Sequence, residues 1–264
     1  DDQDVIEGQA TVTYEMLEQL GRAPDILILP VGGGGLSSSA RRLLTERAPE
    51  TEIFYVEPEG GKSLAAAVAA GEPTTITKVD NFVDGAAVAR IGQHTFAALK
   101  GIDADHVLAI PEDRICTTIL EMLNVEGVVL EPAGALALDA LKDLKDEIKG
   151  KTVVCVSSGG NFDFERLPEV KERAQRYAGV KKYFILRLPQ RPGALKDFLG
   201  LLGPDDDISR FEYLKKSARN FGTVLLGIET PAPENFTSLS ERLEAVGMSI
   251  RDITGDEAMI DLII

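Results

Sequence analysis

Tryptophan is absent from this 264-residue chain, and cysteine and histidine occur only twice each. Cys116 and Cys155 lie far apart and have no metal-ligand spacing. Both are flanked by apolar or small residues, which predicts buried, reduced thiols and a cytoplasmic setting rather than a disulfide framework. His94 and His106 have no carboxylate or second histidine at useful spacing, so packing is favoured over catalysis for both. Positive charge is scarce. The 28 Lys and Arg face 43 Asp and Glu, and the net charge of −15 would repel nucleic acid and anionic membranes. No apolar run approaches the length of a membrane span. Repeats and low-complexity segments are missing too. The chain opens on Asp1-Asp2-Gln3-Asp4, without Met or signal peptide, and passes straight into a helical pattern, as expected of part of something longer.

Glycine, by contrast, is concentrated where chemistry could use it. Asp25-Ile-Leu-Ile-Leu-Pro-Val31 reads as a short buried strand, Gly32-Gly33-Gly34-Gly35 as a loop, and Leu36 onward as a helix with Leu36, Ala40, Leu43 and Leu44 at helical spacing. Without side chains, such a loop lets backbone N–H groups converge, and the helix adds its unpaired first-turn donors. The aligned dipole favours an anion there by roughly 0.3–1 kcal/mol. A flexible linker should not sit tightly between a buried strand and an amphipathic helix, so the loop reads as a phosphate cradle. The dinucleotide fingerprint fails because position 37 is Ser, and no Gly-Lys-Ser/Thr triplet follows. A small phosphate-bearing cofactor remains.

Strands and helices alternate up to about residue 178. Helices are predicted over 4–20, 36–47, 63–70, 92–100, 113–124, 133–144 and 165–177, and strands over 25–31, 52–57, 106–110 and 151–156. On the first helix, Ile6, Val12, Met16, Leu17 and Leu20 form the expected apolar side, with Gly21 as its stop. This order implies an α/β domain with a parallel sheet and the site at the carboxyl ends of its strands. From residue 179 the order becomes β-α-β-β-α-β, that of a ferredoxin-like module. Its strands are predicted over 182–188, 208–217, 221–230 and 249–253, its helices over 192–202 and 239–246, and a hairpin turn at Ala218-Arg219-Asn220. The predicted domains are 1–178 and 179–264.

Six motifs then occur in order: Gln3-Asp-Val-Ile-Glu-Gly-Gln-Ala-Thr11, Pro30-Val-Gly-Gly-Gly-Gly-Leu36, Val56-Glu-Pro58, Asp84-Gly-Ala-Ala-Val-Ala-Arg-Ile-Gly92, Glu131-Pro-Ala-Gly-Ala135 and Ser158-Gly-Gly-Asn161. Together they closely resemble the pyridoxal-phosphate threonine dehydratases (threonine ammonia-lyases), across essentially the whole chain. That resemblance implies a tryptophan-synthase-β-like domain lacking its N-terminal part, followed by one ACT-like regulatory domain. It further implies pyridoxal 5'-phosphate as cofactor and L-threonine as substrate, converted to 2-oxobutanoate and ammonia in isoleucine biosynthesis. On the same basis the amides of Gly32, Gly33, Gly34, Gly35 and Leu36 hold the cofactor phosphate, Ser158 faces the pyridine nitrogen, and Gly85 and Glu131 lie near the ring. A neutral hydroxyl at the nitrogen makes the ring a gentler electron sink, favouring loss of a β-hydroxyl over reactions that demand deeper charge withdrawal. The residues alone leave blander readings open: Ser158 and Gly85 as turn residues, Glu131 as the cap of the helix behind Pro132. Glu57 matches a carboxylate that binds a cation in related enzymes, but the expected acidic partner is Ser63, so no metal site is expected.

The family's cofactor-anchoring lysine belongs to a Ser-x-Lys-x-Arg-Gly motif upstream of the glycine loop, and no lysine precedes that loop here. Lys171-Glu-Arg173 has the Lys-x-Arg spacing without the flanking Ser and Gly, and reads as a solvated helix face. No catalytic residue is therefore assigned, and the chain by itself is expected to be inactive. In the C-terminal module, the loop holding Arg191, Gly193, Ala194 and Leu195, together with Tyr213 of Phe211-Glu-Tyr213, resembles an effector site for isoleucine and its antagonist valine. The open edges of a partial cofactor domain suggest a homo-oligomer, dimer or tetramer. Two other readings stand beside this one. They are a degradative serine/threonine dehydratase or serine racemase, and an effector-binding, oligomerising piece without activity.

Overall fold

The computed structural model describes residues 1–214, 221–260, 262 and 263. The chain divides into two compact units, Asp1–Lys171 and Glu172–Ile264.

The first unit opens with α1 (Gln3–Leu20), started by the Asp2 carboxylate accepting the Asp4 N–H and stopped by Gly21 at φ +64°. Ile6 and Thr13 form its buried stripe, with Met16 and Leu17 packed against the core. Val12 and Leu20, expected on that stripe, are 42% and 40% exposed. Six residues from Ile6 put Val12 about 120° round the helix, and Leu20 lies at its fraying end.

There follow β1 (Ile26–Pro30), buried throughout, α2 (Gly35–Arg47) and β2 (Glu52–Pro58). Next come α3 (Ser63–Ala70), α4 (Gln93–Leu99) and β3 (Val107–Ile110). The unit ends with α5 (Glu112–Glu121), α6 (Pro132–Asp139) and β4 (Val153–Cys155). Two helices are shorter than the apolar pattern suggested. One α-helix gives way to a π turn over Met122–Glu126, and the other to a 3₁₀ turn over Ala140–Lys142.

The four strands pair in parallel in the order β3-β2-β1-β4. The chain thus steps outward from β1 through β2 to β3, then returns to the opposite side of β1. Where the order reverses, the loops leaving two adjacent strands diverge to opposite faces and leave a crevice between them, at the carboxyl ends of β1 and β4. Leu27, Leu29, Leu44, Tyr55, Leu64 and Leu99 pack the face under α2 to α4. Among the described residues no helix is long and apolar enough to cross a membrane.

The helix α7 (Leu167–Tyr177) follows a 3₁₀ turn at Phe164–Arg166. The division into units falls inside α7, ahead of the expected 178/179. Its second half is tied to the second sheet: Glu172 pairs with Lys181 at 2.6 Å, and Gln175 donates to Glu229 at 2.9 Å.

The second unit continues through β5 (Lys181–Pro189), α8 (Ala194–Leu199), β6 (Asp207–Leu214) and β7 (Phe221–Glu229). It closes with α9 (Glu234–Ala245), β8 (Ser249–Asp252) and a short α10 (Glu257–Ile260) that the pattern did not announce. Its strands pair antiparallel in the order β6-β7-β5-β8, which is the ferredoxin-like arrangement expected. The helix predicted over 192–202 shrinks to α8 because Gly193, at φ +82°, caps it at one end and Gly200 at the other. The predicted turn at Ala218-Arg219-Asn220 lies outside the described residues.

Candidate functional site

The glycine loop sits in the crevice that the strand order creates. Val31 N–H donates to the Val56 carbonyl at 2.8 Å, fixing the end of β1 before the loop begins. Gly34 then takes φ +87° as the cap of α2, and no side chain caps that helix. The first-turn N–H groups of α2, those of Gly35, Leu36 and Ser37, therefore have no intrahelical acceptor. A Cβ on Gly33 or Gly35 would meet open space, whereas one on Gly34 would press on Ile91 and Thr95. Close approach matters at Gly32, where a Cβ would stand 3.3 Å from the backbone of Gly85 and Ala86.

Gly32, Gly33, Gly34, Gly35 and Leu36 line a cavity of about 250 Å³ together with Gly85, Ala133, Gln9 and Ser158. Ser158 reaches it because β4 pairs beside β1 and the 156–161 loop leaves the sheet next to the glycines: Val156 N–H donates to the Ile28 carbonyl at 3.0 Å. Gly85 is there because no larger residue fits, its Cβ position lying 2.9 Å from that of Ala133. Among the described residues no carboxylate lines the cavity, in a chain whose net charge is −15. An anion at the glycine loop meets backbone donors, the serines Ser37 and Ser158 and a helix N-terminus. The site fits the phosphate of a small cofactor. No lysine lines it among the described residues.

Glu131 stands at the N-cap position of α6. It makes no side-chain cap for α6, so that blander reading falls. Its carboxylate packs behind the cavity, over Gly159 and 3.4 Å from where a Gly85 Cβ would stand. The Glu131 N–H donates to the Gly159 carbonyl at 3.2 Å, joining the start of α6 to the Ser158 loop.

Glu57 is fully buried and serves as a helix cap. Its two oxygens accept the N–H groups of Leu64 at 2.6 Å and Ala65 at 2.9 Å. Burial pushes its carboxyl up to about 7, with those N–H bonds pulling the other way. Among the described residues no group of three or more His, Cys, Asp or Glu side chains is placed to hold a metal ion. His94 is exposed, and His106 packs on Phe54 with ring centroids 4.7 Å apart. Cys116 is buried as expected; Cys155 is only half-buried, at the end of an edge strand, and burial still pushes its thiol up to about 11. Neither forms a disulfide. Lys171 is exposed on α7.

In the second unit Arg191, Gly193, Ala194, Leu195 and Tyr213 line one pocket of about 710 Å³, so the five residues singled out there are neighbours. Its walls are mostly apolar, with Leu188, Leu199 and Phe211 completing them. Arg191 reaches across the loop to Asp197 at 2.6 Å.

Sequence reasoning missed Gln9, Ala133 and Thr95. The Thr95 hydroxyl donates to the Gly33 carbonyl at 2.9 Å. Its only signal was a threonine in the first turn of a helix behind Gly92, beside a histidine that drew attention by type alone.

A family model described as "Pyridoxal-phosphate dependent enzyme" matches residues 1–159. A second, described as "C-terminal regulatory domain of Threonine dehydratase", matches residues 172–263. The L-threonine dehydratase biosynthetic IlvA of Halalkalibacterium halodurans is 44% identical over 265 residues, covering 100% of this chain and 64% of that protein. The protein of the same name from Bacillus subtilis is 45% identical, covering 100% and 63%. The chain thus spans somewhat under two thirds of the length of these relatives. The processed form of threonine deaminase isoform 2 from Solanum lycopersicum superposes with a TM-score of 0.62 at 35% identity, over 66% of this chain and 51% of that one. With the first model matched over more than half of its residues, the chain belongs to the pyridoxal-phosphate dependent enzyme family.

Proposed function

We propose that the protein containing this chain is a threonine dehydratase, converting L-threonine to 2-oxobutanoate and ammonia under control by amino acids bound at its second unit. The observation that carries this reading is the carboxylate-free cavity onto which the glycine loop and Ser158 both open. When bound, pyridoxal phosphate supplies the electron sink that lets the α-proton and then the β-hydroxyl of the substrate depart. The chain's own part is to bind and orient. The amides of Gly33, Gly34, Gly35 and Leu36 hold the phosphate, Gly85 leaves room for the ring, and the Ser158 hydroxyl hydrogen-bonds the ring nitrogen without imposing a charge on it. Glu131 keeps the Ser158 loop against the start of α6. The matches to biosynthetic enzymes along the whole chain, regulatory module included, favour threonine dehydratase over a racemase.

In the second unit, the Arg191 guanidinium and the apolar wall of Leu195, Phe211 and Tyr213 suit a small amino acid with a branched side chain, isoleucine or valine. A homo-oligomer in the cytoplasm, with no nucleic-acid or membrane partner, completes the reading.

The test separates binding from turnover. The 264-residue chain should bind pyridoxal phosphate reversibly, seen as a shifted phosphorus resonance, yet form no 2-oxobutanoate from threonine, since no lysine among the described residues lines the cavity. Robust turnover by this chain would overturn the second expectation, and no cofactor binding the first. A second reading, an effector-binding piece without chemistry of its own, draws on that same lack of a lysine. It predicts heat on isoleucine addition and none on cofactor addition.

A further inference from the structure

Four consecutive glycines give a loop that can hold an anion, but also one with no intrinsic reason to keep a single arrangement. Something outside the motif must select it. Thr95, in the first turn of α4, is 2% exposed. Its hydroxyl lies 2.9 Å from the Gly33 carbonyl oxygen and 3.0 Å from that of Gly92. The Gly92 N–H approaches the same Gly33 oxygen at 3.5 Å. Within one planar trans peptide the carbonyl and the following N–H point in opposite directions. Holding the Gly33 oxygen against α4 therefore aims the Gly34 N–H away from α4. The Thr95 Cβ also stands 3.1 Å from where a Gly34 side chain would begin, so the same residue backs the left-handed turn. The first turn of α4 is itself held: the Asp1 carboxylate accepts the N–H groups of Gln93, His94 and Thr95 at 2.6, 3.0 and 3.2 Å.

We propose that Thr95 is a positioning residue for the cofactor phosphate, its hydroxyl locking the Gly33–Gly34 peptide in the donor-outward orientation. The proposal rests on reading the glycine loop as a phosphate site. A plainer role exists, since a threonine in a helix often returns its hydroxyl to the carbonyl three residues back, as Thr95 does to Gly92. That role affects helix stability alone. Positioning affects the ligand.

The experiment titrates the chain, T95V and T95S with pyridoxal phosphate, followed by phosphorus NMR, and in parallel with inorganic phosphate. Melting temperature and amide exchange over residues 32–35 are recorded for each. T95V is expected to bind both probes about tenfold more weakly, the loss of one hydrogen bond to a charged-ligand loop. Exchange over the loop should be faster, while T95S stays within about twofold of the parent because it keeps the hydroxyl. T95A replaces T95V under the same criterion if the valine variant does not fold. Equal affinity of T95V and a parent that binds would overturn the positioning role and leave the phosphate loop standing. A parent that binds neither probe would overturn both.

Discussion

Each unit carries a helix capped by a left-handed glycine with no side-chain cap: Gly34 before the 13-residue α2, and Gly193 before the six-residue α8. The local device is the same and the surroundings differ. Gly34 borders a crevice walled by Gln9 of α1, Ala133 of α6 and the loops at Gly85 and Ser158, with no carboxylate in its lining among the described residues and the dipole of a long helix at its mouth. Gly193 faces an open, mostly apolar wall, and the positive charge there comes from Lys196 and from Arg191, a side chain already paired with Asp197. One site suits a doubly charged phosphate held by backbone. The other suits a zwitterion with an apolar tail, held by side-chain cations and hydrophobic contact. A glycine cap thus announces an anion site only when its walls agree.

The largest expected effect tests how the first site's walls are built. Asp139 on α6 is fully buried and accepts from Arg114 Nε at 2.6 Å, Thr118 Oγ1 at 2.6 Å and Lys142 Nζ at 2.9 Å. Replacing it by Ala takes the buried carboxylate from Lys142 and Thr118 and leaves Arg114 with Asp143 alone, at 2.7 Å, and should cost about 3 kcal/mol in urea unfolding. An effect below 1 kcal/mol, on the order of a surface pair, would show that the cluster does not hold the wall.

Next comes the pH response of the same unit. Because the Glu57 carboxyl is raised from 4.5 to about 7 in the folded chain, the folded state binds the extra proton. The stabilisation is complete below about 4.5 and is lost as pH rises through 7. Its size is on the order of 3 kcal/mol. Glu57→Gln, neutral throughout, should flatten that slope in melting curves taken between pH 4.5 and 8, and an unchanged slope would assign it elsewhere.

Gly34→Ala addresses the cap itself. It combines a strained φ with contacts of 3.0–3.2 Å to Ile91 and Thr95. Cofactor affinity should fall about tenfold or more, with about 1–2 kcal/mol lost in stability.

The smallest effect is expected in the second unit. The Arg191–Asp197 pair is exposed on both sides, so Arg191→Ala should change unfolding by less than about 0.5 kcal/mol. Isoleucine binding by calorimetry should nevertheless weaken several-fold. Unchanged binding would remove Arg191 from the effector site and leave the apolar wall as its only support.

Much of this was legible in the chain because it is local. The strand–glycine–helix unit, the Gly21 stop, the switch from alternating βα to β-α-β-β-α-β order, and the grouping of Arg191 with Gly193 each follow from residues within a few positions of one another. The six ordered motifs carried the resemblance further, to Ser158 and Gly85. Side-chain roles set by distant partners were not legible. Glu57 reads as a metal-type carboxylate until Leu64 and Ala65 claim both its oxygens. The blander reading of Glu131, a side-chain cap, stands until its carboxylate is seen packed over Gly159. Val12 looks like core until the packing of α1 leaves it 42% exposed.

What the sequence determined by itself was therefore the inventory: which elements form, where they stop, and that a bare-backbone loop opens a helix after a buried strand. The tertiary structure alone decided the strand order β3-β2-β1-β4, which returns the chain across β1 and brings residues 156–161 beside residues 32–35. It also decided that a threonine sixty positions downstream would hold the loop's carbonyl. Hydrogen bonds and apolar burial act through space, and the chain encodes neighbours in space only through the sum of its packing.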